Sequence, residues 1–194
     1  MPEVGDPRRL GSAVAVLAVA VALGAATSFL QTVLPQPVAP LANSAGSWCL
    51  VAWLLARPAR SSARGALAAA LALLGLVAGY YLAADLRGFG VGVPSVLTWV
   101  VAAVLVGPPL GVGAVRSRGT GGWARVVAAL VLPALLAAEA AYGVARLGGS
   151  TSTAYWVGEG VVAVLLAAVP LARPSSAPGA AGTELAGHDQ AAVR

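Results

Sequence analysis

The sequence predicts an all-α polytopic membrane protein, a bundle of six transmembrane helices, on three observations. Charge is scarce: Asp, Glu, Lys and Arg make up 10% of the chain and hydrophobic residues 59%, where soluble proteins carry roughly 25% charge. The apolar residues gather in six runs, each near the roughly 20 residues a spanning helix needs. The arginines lie in the gaps between those runs and alternate from side to side, as the positive bias of cytoplasmic loops demands.

The six runs cover residues 10–34, 40–56, 65–84, 95–115, 123–145 and 155–171. The second is the weakest, because Asn43, Ser44 and Ser47 dilute its start. Together the runs define a membrane domain over 10–172, between an N-terminal segment 1–9 and a Ser/Pro/Gly/Ala-rich, then polar, tail 173–194 that reads as disordered. Arg8-Arg9 before an apolar run and Ala25-Ala26 has the outline of a signal peptide. The run is longer than the roughly 7–15 residues of a signal core, so an uncleaved first helix is expected.

Arg8 and Arg9, then Arg57, Arg60 and Arg64, then Arg116, Arg118 and Arg125, then Arg173 mark alternate gaps. The intervening gaps hold no arginine in the first case, Arg87 beside Asp85 in the second and Arg146 alone in the third. This pattern predicts both termini on the cytoplasmic side of a multi-pass plasma-membrane protein. The net charge of +5 does not indicate nucleic-acid binding, because the arginines are spread over loops and form no basic face.

Cys49 is the one cysteine and His188, in the tail, the one histidine. An internal disulfide is therefore excluded, and no ligand set for zinc, haem or an iron–sulfur cluster exists within one chain. No metal site and no cofactor is expected. The chain also has no His-Glu-x-x-His, no phosphate-binding loop and no Ser/His/Asp set within the membrane, so an enzyme is not expected. Gly88-x-Gly90-x-Gly92 follows no strand and reads as a pliable loop.

Small residues recur at a spacing of four on two helices. Gly75 and Gly79 follow Ala68 and Ala72 in the third; Ala18, Ala22 and Ala26 line the first. Residues four apart share a helix face, and small ones let backbones approach closely. Two readings stand: packing within the bundle, or docking of a partner membrane protein through Ala18, Ala22, Gly75 and Gly79. Lipid is the expected partner elsewhere. Pro108-Pro109, Pro133 and Pro170 fall inside predicted helices, where each removes a backbone donor and is expected to kink its helix.

The residues that hydrocarbon should exclude point to a site. Glu139 lies within the fifth run and Glu159 near the start of the sixth. A charge at the bilayer centre costs roughly 2.5–3.5 kcal/mol on insertion scales. Both glutamates fall in the outer half of the predicted topology, at equal depth on helices joined by a short link. Asp85 and Arg87, Gln31, Asn43 with Ser44 and Ser47, and Arg146 lie at the same level. Glu139, Tyr142 and Arg146 share a face by helical spacing. The candidate ligand-binding set is Glu139, Glu159, Tyr142, Arg146, Asp85, Asn43 and Gln31, converging on an outward-opening solute pocket. In the competing reading Tyr155 and Trp156 are interfacial anchors, Asp85 pairs with Arg87, and Arg146 pairs with a glutamate. The corresponding functions are small-solute binding or membership of a transport assembly, and alternatively a structural or accessory membrane protein with no ligand.

The stretches LGAATSFLQ (23–31), LANSAGSW (41–48) and GYYLAADLRG (79–88) resemble those of an uncharacterised family of small polytopic bacterial membrane proteins. That resemblance implies the six-helix fold over about 10–171 and no particular chemistry. At fold level the chain is also similar to the substrate-binding subunits of energy-coupling-factor vitamin transporters. That likeness implies a solute site near the outer face and a docking surface of small residues on the first helix, at Ala18, Ala22 and Ala26.

Overall fold

Six α-helices, with no strand among the described residues, make up the computed structural model, which describes residues 7–119 and 122–172. The predicted tail 173–194, with Arg173 and His188, lies outside the described residues. The helices are α1 (Pro7–Val33), α2 (Ala45–Ala56), α3 (Ser62–Leu86), α4 (Val93–Arg116), α5 (Gly122–Tyr142) and α6 (Thr153–Ala172). A 3-10 turn, Ala39–Ala42, precedes α2, and a π-helical turn, Gly143–Leu147, extends α5. All except α2 are long and apolar enough to cross a membrane.

The second predicted run divides in two. Its helix begins at Ala45 rather than at Pro40, because Ser44 takes an extended conformation and its side chain accepts from the Ser47 amide as an N-cap. The 12 residues of α2 reach about 18 Å, short of the roughly 30 Å of a hydrocarbon core. Yet α2 is deeply buried, with Trp48, Ala52, Trp53 and Ala56 in the core, packed against α3, α4 and α5.

Small residues decide how closely the helices approach. Gly75 and Gly79 are buried against α1: a β-carbon at 75 would meet Ala20 Cβ at 2.8 Å, and one at 79 would strike the Val21 carbonyl. The pair is thus consumed by packing inside the chain and is not a partner surface, which corrects the docking reading for these two residues. Ala18 and Ala22 remain exposed on α1. In the same way Gly107 meets the Ala70 backbone and Gly111 meets Gly65, bringing α4 onto α3 on either side of Pro108 and Pro109. The helix α4 runs on through both prolines.

Helix ends fix the two faces of the bundle. At one end Arg118 Nη2 donates to the Ala59 carbonyl at 2.6 Å, tying the α4–α5 loop to the α2–α3 loop. Both arginine-rich gaps therefore lie at the same end. At the other end α3 closes on Gly88, whose φ of +79° suits a residue without a side chain. The Gly88 amide donates to Asp85 and the Phe89 amide to Ala84, the paired bonds of a Schellman stop. The first glycine of the predicted pliable loop is thus a helix terminator. Arg87 turns back onto the C-terminal end of α1. It donates to the Ser28 carbonyl and to Thr32 Oγ1 (2.9 Å), and its guanidinium lies 4.3 Å from the Phe29 ring centre.

A buried carboxylate pair at the start of α2

Each helix has free amide groups at its first turn, and buried ones need acceptors. In α2 the first three amides are all taken, two of them by a side chain from another helix. The Ala45 amide donates to Glu139 Oε1 at 2.8 Å, the Gly46 amide donates to Glu139 Oε2, and the Ser47 amide donates to Ser44 Oγ at 3.3 Å. Glu139, from α5, therefore sits where a helix N-terminus would hold an anion.

Glu159, from α6, lies beside it. Ser44 Oγ is 3.1 Å from Glu139 Oε2 and 3.4 Å from Glu159 Oε1. A hydroxyl has one proton, so it serves one of these carboxylates at a time. Ser44 is 2% exposed and Glu159 9%, and Glu159 Oε2 is buried with no hydrogen-bond partner. Gly46 leaves the room for this arrangement: a β-carbon there would strike Glu159 Oε1 and lie 2.7 Å from Glu139 Oε2. Cys49, one turn along α2, and Tyr155 of α6, beside Ser44, complete the polar surroundings.

Among the described residues no arginine bonds to either glutamate. Arg146 is exposed, and so is Tyr142 at 59%. The predicted common face of Glu139, Tyr142 and Arg146 is not formed: Tyr142, in the same regular helix as Glu139, is exposed, and the position of Arg146 is set by a change of backbone. The π-helical turn at Gly143–Leu147 adds a residue to the turn, so the i, i+7 relation of an ideal helix no longer holds. That turn is locked by close packing of Gly143 on the Trp156 indole, whose Nε1 donates to Thr151 at 2.8 Å.

The other candidates lie apart from the pair. Asp85 is exposed and forms no ion pair with Arg87, which is engaged by α1. Gln31 accepts from the Tyr80 hydroxyl, and Asn43 is exposed immediately before Ser44. Ser44 and Gly46 are the residues that sequence reasoning undervalued. The signal for Ser44 was present, as a serine three residues before another amide-bearing turn in a polar stretch that opens an apolar run.

Two spaces adjoin the site, and neither is lined by Glu139 or Glu159. One is a small apolar cavity of about 50 Å³ behind the first turn of α2, bounded by Ala45, Trp48, Cys49 and Trp99. The other is an open apolar groove of about 620 Å³ between α5 and α6, on the face of Ala141, Val157 and Val161. The expected outward pocket lined by polar groups is not among these spaces, because Glu139 and Ser44 are spent on the start of α2 and Asp85, Gln31, Tyr142 and Arg146 lie away from them. No group of three or more His, Cys, Asp or Glu that would hold a metal ion occurs among the described residues.

Residues 5–188 match a family described as a family of unknown function (DUF6518). The chain belongs to that family. No match was found among curated proteins or among solved structures. Membership of DUF6518 brings no chemistry with it, so function rests on the carboxylate pair and on the bundle that holds it.

Proposed function

We propose that this DUF6518 protein is a small-solute binding or transport protein of the membrane, not an enzyme, and that the Glu139–Glu159 pair is its working centre. One observation carries the reading: a carboxylate oxygen, Glu159 Oε2, is buried without a donor beside a second carboxylate. Burying an unsatisfied polar oxygen costs about 1–3 kcal/mol. Ionisable groups inside membrane bundles typically mark solute or ion paths. The start of α2 supports the same reading, since helices that begin at membrane depth commonly build transporter sites. Neither a histidine nor an arginine bonds to the pair among the described residues, so the Ser44 hydroxyl beside it has no base–orienter set of the catalytic kind, which supports binding over catalysis.

The likeness to energy-coupling-factor substrate-binding subunits enters here as part of the proposal: the exposed Ala18 and Ala22 face of α1 is the surface a transport partner would use. The proposed setting is the plasma membrane, with both termini in the cytoplasm, on the arginine alternation.

A second reading is favoured by one specific feature. Glu139 has donors from Ala45, Gly46 and Ser44, which is all a structural cap needs. A thermal-shift screen of small solutes on purified protein separates the two. A solute class that raises the Tm of the wild type and has no effect on Glu159→Gln supports a working centre. If no solute stabilises the wild type, or if Glu159→Leu keeps every response, the pair is structural.

A further inference from the structure

We propose that the pair carries a single exchangeable proton, held by Glu159, while Glu139 remains the anion that caps α2. The inference rests on the reading of this pair as a working centre and names the ligand it exchanges. It follows from an inequality of donors. Glu139 receives two backbone amides that are fixed by the fold and point at it whatever its state. The positive end of the α2 dipole adds to them. Glu159 has no backbone donor among the described residues: it has a share in the Ser44 hydroxyl and a side-chain contact with Glu139, and its Oε2 has no partner. The acid form of Glu159 can donate its proton to the neighbouring Glu139 carboxylate, which two ionised carboxylates cannot do for each other. Two adjacent ionised carboxylates with no arginine between them repel, and one proton removes that repulsion.

The surroundings narrow the ligand to a proton. From α2 come Cys49 and the amides of Ala45 and Gly46, from α5 Glu139, and from α6 Tyr155; among the described residues no arginine bonds to the pair. A metal cation would face the positive end of α2 and would find no third acidic or imidazole ligand among the described residues. Release breaks the O–H bond of Glu159 and passes the proton to water, leaving two carboxylates; rebinding reverses this. The exit lies at the end opposite the arginine-rich α2–α3 and α4–α5 loops, where Asn43 is exposed next to the buried Ser44 and Glu139 is only half-buried.

Infrared spectroscopy of the full chain in nanodiscs at neutral pH tests this. A carbonyl band of a buried protonated carboxyl, shifted by D2O, is expected in the wild type and lost in Glu159→Gln. Raising the pH should remove it with release of one proton per chain. Gln has the shape of the neutral acid, so Glu159→Gln should keep the wild-type Tm. Glu139→Gln points an NH2 or a single oxygen at two fixed donors and should lower it. Absence of the band in the wild type, its survival in Glu159→Gln, or a Tm cost reversed between the two variants overturns the proposal. Should Glu139→Gln not fold, the band in the wild type and in Glu159→Gln still decides. Failure of the solute reading alone would leave the band in place with no solute response, so the two failures are distinguishable.

Discussion

Ser44 and Gly46 do the local work that lets two glutamates meet inside a bundle. Ser44 ends the extended segment, accepts from Ser47 and offers its proton to the pair. Ser44→Ala removes the cap and that donor together, and is expected to cost about 1–2 kcal/mol, the usual cost of losing a helix cap. Thermal unfolding in a fixed detergent measures it, and an unchanged Tm would show that the cap is dispensable. Gly46→Ala should be worse, because the methyl group meets Glu159, Glu139 and Leu136 at once, with Leu136 Cδ2 at 2.6 Å. The two carboxylates themselves were legible from their positions five or so residues from a short link between antiparallel helices. Their partner on α2 was not, because hydropathy alone extends that helix back to Pro40 and hides the turn of amides that Glu139 caps. Nor was the position of Arg146, since nothing in the side-chain pattern announces a π-helical turn.

At the scale of helices, small residues set the distances on which everything else depends. The α1–α3 contact is made where Gly79 meets the Val21 carbonyl and Gly24 meets the Leu76 carbonyl. Between apolar helices in lipid, packing of this kind replaces the hydrophobic driving force that water would supply. Gly79→Ala should force the two helices apart and destabilise by about 1–3 kcal/mol, the usual cost of overpacking. Gly90→Ala is the control, since its position has no neighbour within 4 Å. Unfolding curves for the two variants side by side check this, and equal Tm values would contradict the packing account. The spacing of Gly75 and Gly79 announced a close helix contact in the sequence. It did not announce which helix, because a four-residue repeat describes one face only and the partner is chosen by topology.

At the scale of the molecule the remaining question is how often the chain crosses the membrane, because α2 by itself is too short to count as a span. The course of the chain is consistent with the six passes proposed. Helix α2 begins at the level of Glu139 and Glu159, near the end of α5 and the start of α6. Past its end lies Ala59, bonded to Arg118 just beyond α4. Its two ends thus stand near opposite faces, and the depth it lacks is supplied by Asn43, Ser44 and the 3-10 turn Ala39–Ala42. Six crossings would put the α2–α3 loop, the α4–α5 loop and the end of α6 on one side, the side proposed as cytoplasmic on the arginine bias. A reporter active only in the cytoplasm should therefore be active when fused after Arg60, after Arg118 and at the C-terminus, and silent after Gly90 and Gly149. If α2 instead turned back without crossing, the fusions after Arg60 and Gly90 would exchange their activities and the later ones would follow. That outcome would put the start of α2 and the end of α5 on opposite sides, where the Ala45–Glu139 bond could not form, and would overturn the site as well as the count.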